Sequence, residues 1–209
     1  GAAARREWRE RFRHVPKGLW WAYAAIPYGI GWNTILPPGR EEPVWVCSRD
    51  WCVHGNYGSW VLFNWDQWLI ALLAADYDKA LAHAILKPQI EAQQPNGMIP
   101  GIASAMGVSG DRAMPPTAAV AVWKAALRAG DIFFAERYRK ALERYQEWWL
   151  SARDGNGDGL LEWGSDDVPC VHPQWQSHSK WAARYESGMD NHPSGDDATW
   201  NPRTNTLEQ

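Results

Sequence analysis

The run Arg184-Tyr185-Glu186-Ser187-Gly188-Met189-Asp190-Asn191-His192-Pro193 holds the residues best suited to chemistry. Two carboxylates, Glu186 and Asp190, flank a Ser-Gly break beside a proline. Glycine lets the backbone turn tightly and proline fixes the exit, so the segment reads as a loop aiming a carboxyl group into a cleft. A carboxyl that must donate a proton near neutral pH needs burial or a negative neighbour to keep that proton. Asp190, close to Glu186 and among aromatic residues and His192, meets that need.

Further along, Asp154-Gly155-Asn156-Gly157-Asp158-Gly159-Leu160-Leu161-Glu162 sets oxygen ligands on alternate residues, with a glycine for the sharp turn. This pattern matches the first half of a calcium loop. The twelfth position is Ser165 rather than Glu, so it is no standard EF-hand. Asp154, Asn156, Asp158, the Leu160 carbonyl and Glu162 form the expected ligand set for a structural Ca2+. The alternative is a Gly-Asp/Asn turn that needs no metal. Phe63-Asn64-Trp65-Asp66-Gln67-Trp68 puts an acid at the start of a helical pattern, where the helix dipole favours it.

Taken in order, these runs resemble the motifs of (α/α)6-barrel α-glycosidases of the glycoside hydrolase family 63 type, a group related to trehalases. Glu186-Ser187-Gly188-Met189-Asp190 resembles the Glu-Ser-Gly-X-Asp signature, which implies that Asp190 is the general acid. Trp65-Asp66 resembles the Trp-Asp pair that lines the −1 sugar subsite. Asn96-Gly97-Met98-Ile99-Pro100 and Arg112-Ala113-Met114-Pro115-Pro116 resemble two further loops, Met114 standing where trehalases carry glutamine. The resemblance implies an inverting α-glucosidase or α-mannoside/mannosylglycerate-type hydrolase. Asp190 would be catalytic, and Trp65, Asp66, Arg112, Glu186 and Gly188 would bind substrate. It implies no organic cofactor. The family's base is a glutamate far toward the C-terminus, and no residue here is assigned to it.

Composition sets outer bounds. The chain has 209 residues and a net charge of −3 with acids and bases mixed, which argues against nucleic-acid or anionic-membrane partners. No apolar run reaches membrane-span length. Sixteen tryptophans are unusually many. Most are expected in the core, and Trp32, Trp65, Trp163 and Trp175, next to polar clusters, are candidates for stacking on sugar. Three cysteines, an odd and low count, favour a cytoplasmic over an oxidising compartment without fixing it. Cys47 and Cys52 with His54 leave three readings open: a disulfide, half a metal site, or ordinary thiols.

The elements that must hold these residues read as all-α. A charged helix is predicted over 4–12 and a loop-rich entry over 13–63. Helices follow over 66–76, 77–93 with Pro88 inside, 116–129 closed by Gly130, and 132–152 capped by Asp131. They pair as helical hairpins, with polar loops 94–115 and 153–180 between the pairs, and no run shows strand alternation. Twelve helices of about 11–12 residues plus loops need well over 300 residues. Residues 1–209 are therefore expected to be a single partial domain, about half a barrel, expected to be inactive alone and to self-associate or hold the other half. Two rival readings stand beside the enzyme: a non-catalytic carbohydrate-binding remnant and a helical scaffold for protein partners.

Overall fold

The computed structural model describes residues 2–53, 57–170 and 176–208. Its centre is a layer of four helices: α4 (Asn64–Ala74), α5 (Lys79–Glu91), α6 (Ala118–Ala129) and α7 (Ile132–Ala152). They form two hairpins, α4 on α5 and α6 on α7, joined where α4 packs against α6. The caps explain the boundaries. The Asp78 carboxylate accepts from the Ala80 and Leu81 amides, and Asp131 accepts from Phe133. Gly130 closes α6 in the left-handed region at φ 61°, where a Cβ would be strained. Pro88 sits inside α5 rather than ending it.

The core between these helices contains Trp68, Ile85, Leu86, Met98, Ile99, Val122, Phe134 and Trp149. Each fully buried Leu or Ile there contributes about 1.5–3 kcal/mol. Asn64 is the joint that places α4. Its amide donates to the Ile99 and Pro100 carbonyls at 3.0 and 3.1 Å, and its Oδ1 accepts from Trp68 Nε1 at 2.6 Å.

The remaining elements are short, apart from α1 (Ala2–Arg11) and α2 (Trp20–Asn33). The strands make three antiparallel ribbons: β1 (Thr34–Ile35) with β2 (Val44–Trp45), β3 (Val61–Phe63) with β4 (Ile102–Ser104) and β5 (Gly107–Val108), and β6 (Thr199–Asn201) with β7 (Thr206–Glu208). The small helices are α3 (Arg49–Val53), α8 (Lys180–Glu186) and α9 (Ser194–Asp197). The fold is mostly helical with small ribbons of two or three residues per strand, too short to show alternation in the sequence.

The loop-rich reading of 13–63 is corrected by α2, fourteen residues long. Its sequence, Trp-Trp-Ala-Tyr-Ala-Ala-Ile-Pro-Tyr-Gly-Ile-Gly-Trp-Asn, is apolar on every side and interrupted by Pro27 and two glycines. It therefore carries no amphipathic period. The side chain of Cys52, together with His54, lies outside the described residues, as does Trp175. Among the described residues no helix is long and apolar enough to cross a membrane.

Candidate active site

Helix α8 starts at Ser179, whose Oγ accepts from the Ala182 amide, and its last residue is Glu186. Ser187 turns the chain, donating from Oγ to the Arg184 carbonyl at 2.6 Å and accepting from the Met189 amide at 2.9 Å. Gly188 follows at φ 67°. A Cβ there would lie 3.0 Å from two ring carbons of Trp65. Glycine is thus required twice, for the left-handed backbone and for the indole lying against it. That contact joins the start of α4 to the loop of Asp190. Asp190 itself is half-buried, and burial pushes its carboxyl above the ordinary value, opposed in part by Arg112 and Arg184.

β3 runs directly into α4, so Trp65 and Asp66 occupy its first turn. Asp66 is half-buried, and burial raises its carboxyl too, against a hydrogen bond from its own amide.

Glu186 does not face a subsite, which corrects the sequence reading. It is fully buried. Its Oε1 accepts from Arg153 Nη2 and the Ala113 amide at 3.0 and 2.8 Å, and its Oε2 from Arg153 Nε and the Gly164 amide at 2.7 and 2.6 Å. Four protein donors on two oxygens leave no lone pair for a sugar hydroxyl. Burial pushes this carboxyl up while Arg153 and the two amides oppose it. The ionised form is the one that four inward donors satisfy. Arg112 is likewise turned into the protein. It pairs with buried Asp111 at 2.9 Å and donates to the Ala182 carbonyl at 3.0 Å and to Cys170 Sγ at 3.4 Å. Its charge reaches Asp190, while these contacts are all to the scaffold.

The 154–162 loop gathers three of its five expected ligands. Carboxylate oxygens of Asp154, Asp158 and Glu162 lie within 4.8 Å of one another. Glu162 Oε2 accepts from the Gly155 amide at 2.7 Å, while its Oε1 is buried without a hydrogen-bond partner. Asn156 is used differently: its Oδ1 accepts from the Asp158 amide and its Nδ2 donates to Asp158 Oδ2, closing a turn. The Leu160 amide donates to Asp158 Oδ1. Between this loop and the Asp190 loop lies a cleft of about 250 Å3 with Asp158, Trp163, Arg184 and Met189 in its walls. Trp65, Asp66 and Asp190 are not among its lining residues. Trp32, stacked by Arg49 at 4.7 Å, stands on α2 and is 68% exposed.

The model of the mannosylglycerate hydrolase MGH1-like glycoside hydrolase domain matches residues 59–206, well over half of the chain. The chain belongs to this family. It is 27% identical over 162 residues to mannosylglycerate hydrolase MGH2 of Selaginella moellendorffii, an alignment covering 65% of this chain and 29% of that one. Its fold is similar to that of a GH63 mannosylglycerate hydrolase from Thermus thermophilus. Against that enzyme's complex with glucose the TM-score is 0.60 at 21% identity, covering 83% of this chain and 40% of that one. Against its complex with Tris and D-glycerate the TM-score is 0.58 at 24% identity, covering 83% and 39%. The chain therefore spans less than half the length of these relatives.

As a member of the MGH1-like family, the chain places Trp65 and Asp66 at the start of α4, with Trp65 against Gly188 in the loop that carries Asp190. Arg153, Asp111, Ser165 and Asp166 complete the support beneath it, and the sequence reading does not include them. Ser165 Oγ donates to Asp111 Oδ2 at 2.8 Å, and Arg153 Nη1 donates to Asp166 at 2.9 Å. Nothing in the residue types of 111, 153, 165 and 166 marks them out, because their partners lie 13 to 54 positions away.

Proposed function

We propose that the chain is the acid-bearing part of an inverting α-glycoside hydrolase, built as about half of an (α/α)6 barrel. Asp190 protonates the departing glycosidic oxygen. Trp65, Asp66 and Gly188 shape the −1 subsite, the indole offering an apolar face to the sugar and the Asp66 carboxylate accepting from its hydroxyls. A carboxylate outside these 209 residues acts as the base. It stands roughly 6.5–9.5 Å from Asp190, as attack by water from the opposite side requires. The named relatives favour an α-mannosyl substrate of the mannosylglycerate kind, with α-glucosyl substrates the neighbouring alternative. The observation that carries the reading is Asp190. It is a half-buried carboxyl raised by burial, on a loop fixed from one side by Trp65 against Gly188.

The test is Asp190→Asn in the natural chain that contains this segment. Hydrolysis of unactivated α-glycosides should fall by about 10²–10⁴-fold, and binding should persist because the amide keeps the shape. Dinitrophenyl α-glycosides, whose leaving group needs no proton, should lose far less. Equal turnover of the variant on unactivated substrates would remove Asp190 from the acid's role. The 209-residue chain alone should show no turnover, and robust hydrolysis by it would place the base within it.

A structural Ca2+ fits the 154–162 loop on the chemistry of its donors: three gathered carboxylates and the unpartnered Glu162 Oε1. Asp154, Asp158 and Glu162 would hold it, and the ion would supply positive charge that keeps the three acids together. At a hundredfold excess over its dissociation constant, such an ion stabilises the fold by about 2.7 kcal/mol. Calcium should therefore raise the melting temperature and a chelator lower it, and Glu162→Gln should abolish both responses. A melting temperature indifferent to both additions would leave the loop a turn.

A further inference from the structure

We propose that Arg153 is a positioning residue for Asp190, acting through Glu186. The inference rests on the reading of Asp190 as the general acid and goes beneath it, to what holds that acid in place.

Arg153 is the C-cap of α7, and its side chain is fully buried. All five of its N–H donors are used. Nε and Nη2 clasp the two Glu186 oxygens at 2.7 and 3.0 Å, Nη1 donates to the Ala152 carbonyl and to Asp166, and Nη2 also points at the Asp111 carbonyl at 3.4 Å. The Trp148 ring lies under the guanidinium, 4.6 Å from its carbon. Gly164 leaves room for this side chain: a Cβ there would stand 2.7 Å from Arg153 Nε. Such a fork has one geometry, because the guanidinium is planar and both carboxylate oxygens are taken.

Glu186 is the fixed end of the acid loop. Through it the last residue of α8 is tied to Arg153 and, by the Ala113 and Gly164 amides, to two other segments. Asp190 lies four residues on, across a serine turn and a left-handed glycine. From the side of α8, the Glu186 anchor sets where the Asp190 backbone leaves the scaffold. A loose anchor moves the acid by the fraction of an ångström that matters for proton transfer, and a misplacement of about 1 Å can cost on the order of 10²-fold. The charge on Arg153 is needed to satisfy Glu186. The fork is needed to orient it.

Arg153→Lys separates these roles, since lysine keeps the charge and loses the fork. Glu186→Gln is the second variant, keeping the shape and losing the carboxylate. Melting curves identify which of them is folded at the assay temperature, and the folded ones are assayed in the natural chain. On unactivated α-glycosides kcat should fall by about 10²-fold, with KM unchanged. Dinitrophenyl α-glycosides should be largely spared, as in Asp190→Asn. Adding Arg153→Lys to Asp190→Asn should cost nothing further. In the natural chain, carbon-13 NMR should show the Asp190 carboxyl titrating closer to its ordinary 3.8 in either variant, because a loosened loop is more solvated.

Equal losses on both substrate types, or an unchanged Asp190 titration, would make Arg153 a structural residue only and overturn the proposal. If Asp190→Asn itself shows no dependence on the leaving group, the acid assignment fails instead. In that case the NMR titration still decides whether Arg153 positions this carboxyl.

Discussion

Asp190 draws its properties from its surroundings. Burial raises its carboxyl, and the Arg112 and Arg184 cations hold it down. Arg184 is the more accessible lever, since it pairs with exposed Asp196 at 2.8 Å. Removing a cation destabilises the carboxylate, so Arg184→Gln should raise the Asp190 pKa further. The protonated acid would then persist to higher pH. The alkaline limb of the pH–rate profile of the natural chain should move upward, and an unmoved or lowered limb would contradict this placement of charges. The motif makes the turn at Gly188 legible, because a Ser-Gly break serves a tight turn. It does not show which of two carboxylates four residues apart faces inward. The motif assigns Glu186 to the sugar for that reason, whereas its partners Arg153, Ala113 and Gly164 belong to distant segments.

At the scale of elements, α4 to α7 are readable because each hairpin announces itself locally. Asp131 starts one helix and Gly130 stops another, and the apolar runs between have helical length. Helix α2 is hidden because uniform apolarity has no period, and the ribbons because two or three residues cannot alternate. Contacts between elements are invisible for a different reason: they depend on pairs such as His83 and Tyr138. His83 Nδ1 lies 2.8 Å from Tyr138 Oη, and its ring lies 4.0 Å from that of Phe134, tying α5 to α7. Burial lowers the His83 pKa from 6.5, as do Arg137 and Lys79, with Asp131 opposing. The folded state thus keeps His83 neutral while the unfolded chain takes up a proton near pH 6.5. Stability from this site is complete above that value and declines as pH falls below it. His83→Asn, which cannot titrate, should flatten the fall in melting temperature across that window. An unchanged slope would show that the histidine is not buried neutral.

At the scale of the whole molecule, the ordered motifs predict helical hairpins, and the hairpins are there. What the chain leaves open is its apolar surface. On α6 and at the start of α7, Trp123, Leu127, Ile132 and Phe133 are 48%, 61%, 55% and 77% exposed. A groove of about 390 Å3 runs between these helices, walled by Val122, Trp123, Ile132 and Leu142. On α2, Trp21 and Tyr28 are 74% and 79% exposed. Large apolar patches of this kind drive association. The 209-residue chain in isolation should therefore self-associate, its mean mass in sedimentation equilibrium rising with concentration. Phe133→Ser and Trp123→Ser should weaken that association. Phe133 is the cleaner probe because its exposure keeps the expected stability change within about 0.5 kcal/mol. A single monomeric species at every concentration would show that these faces are tolerated in water as they stand.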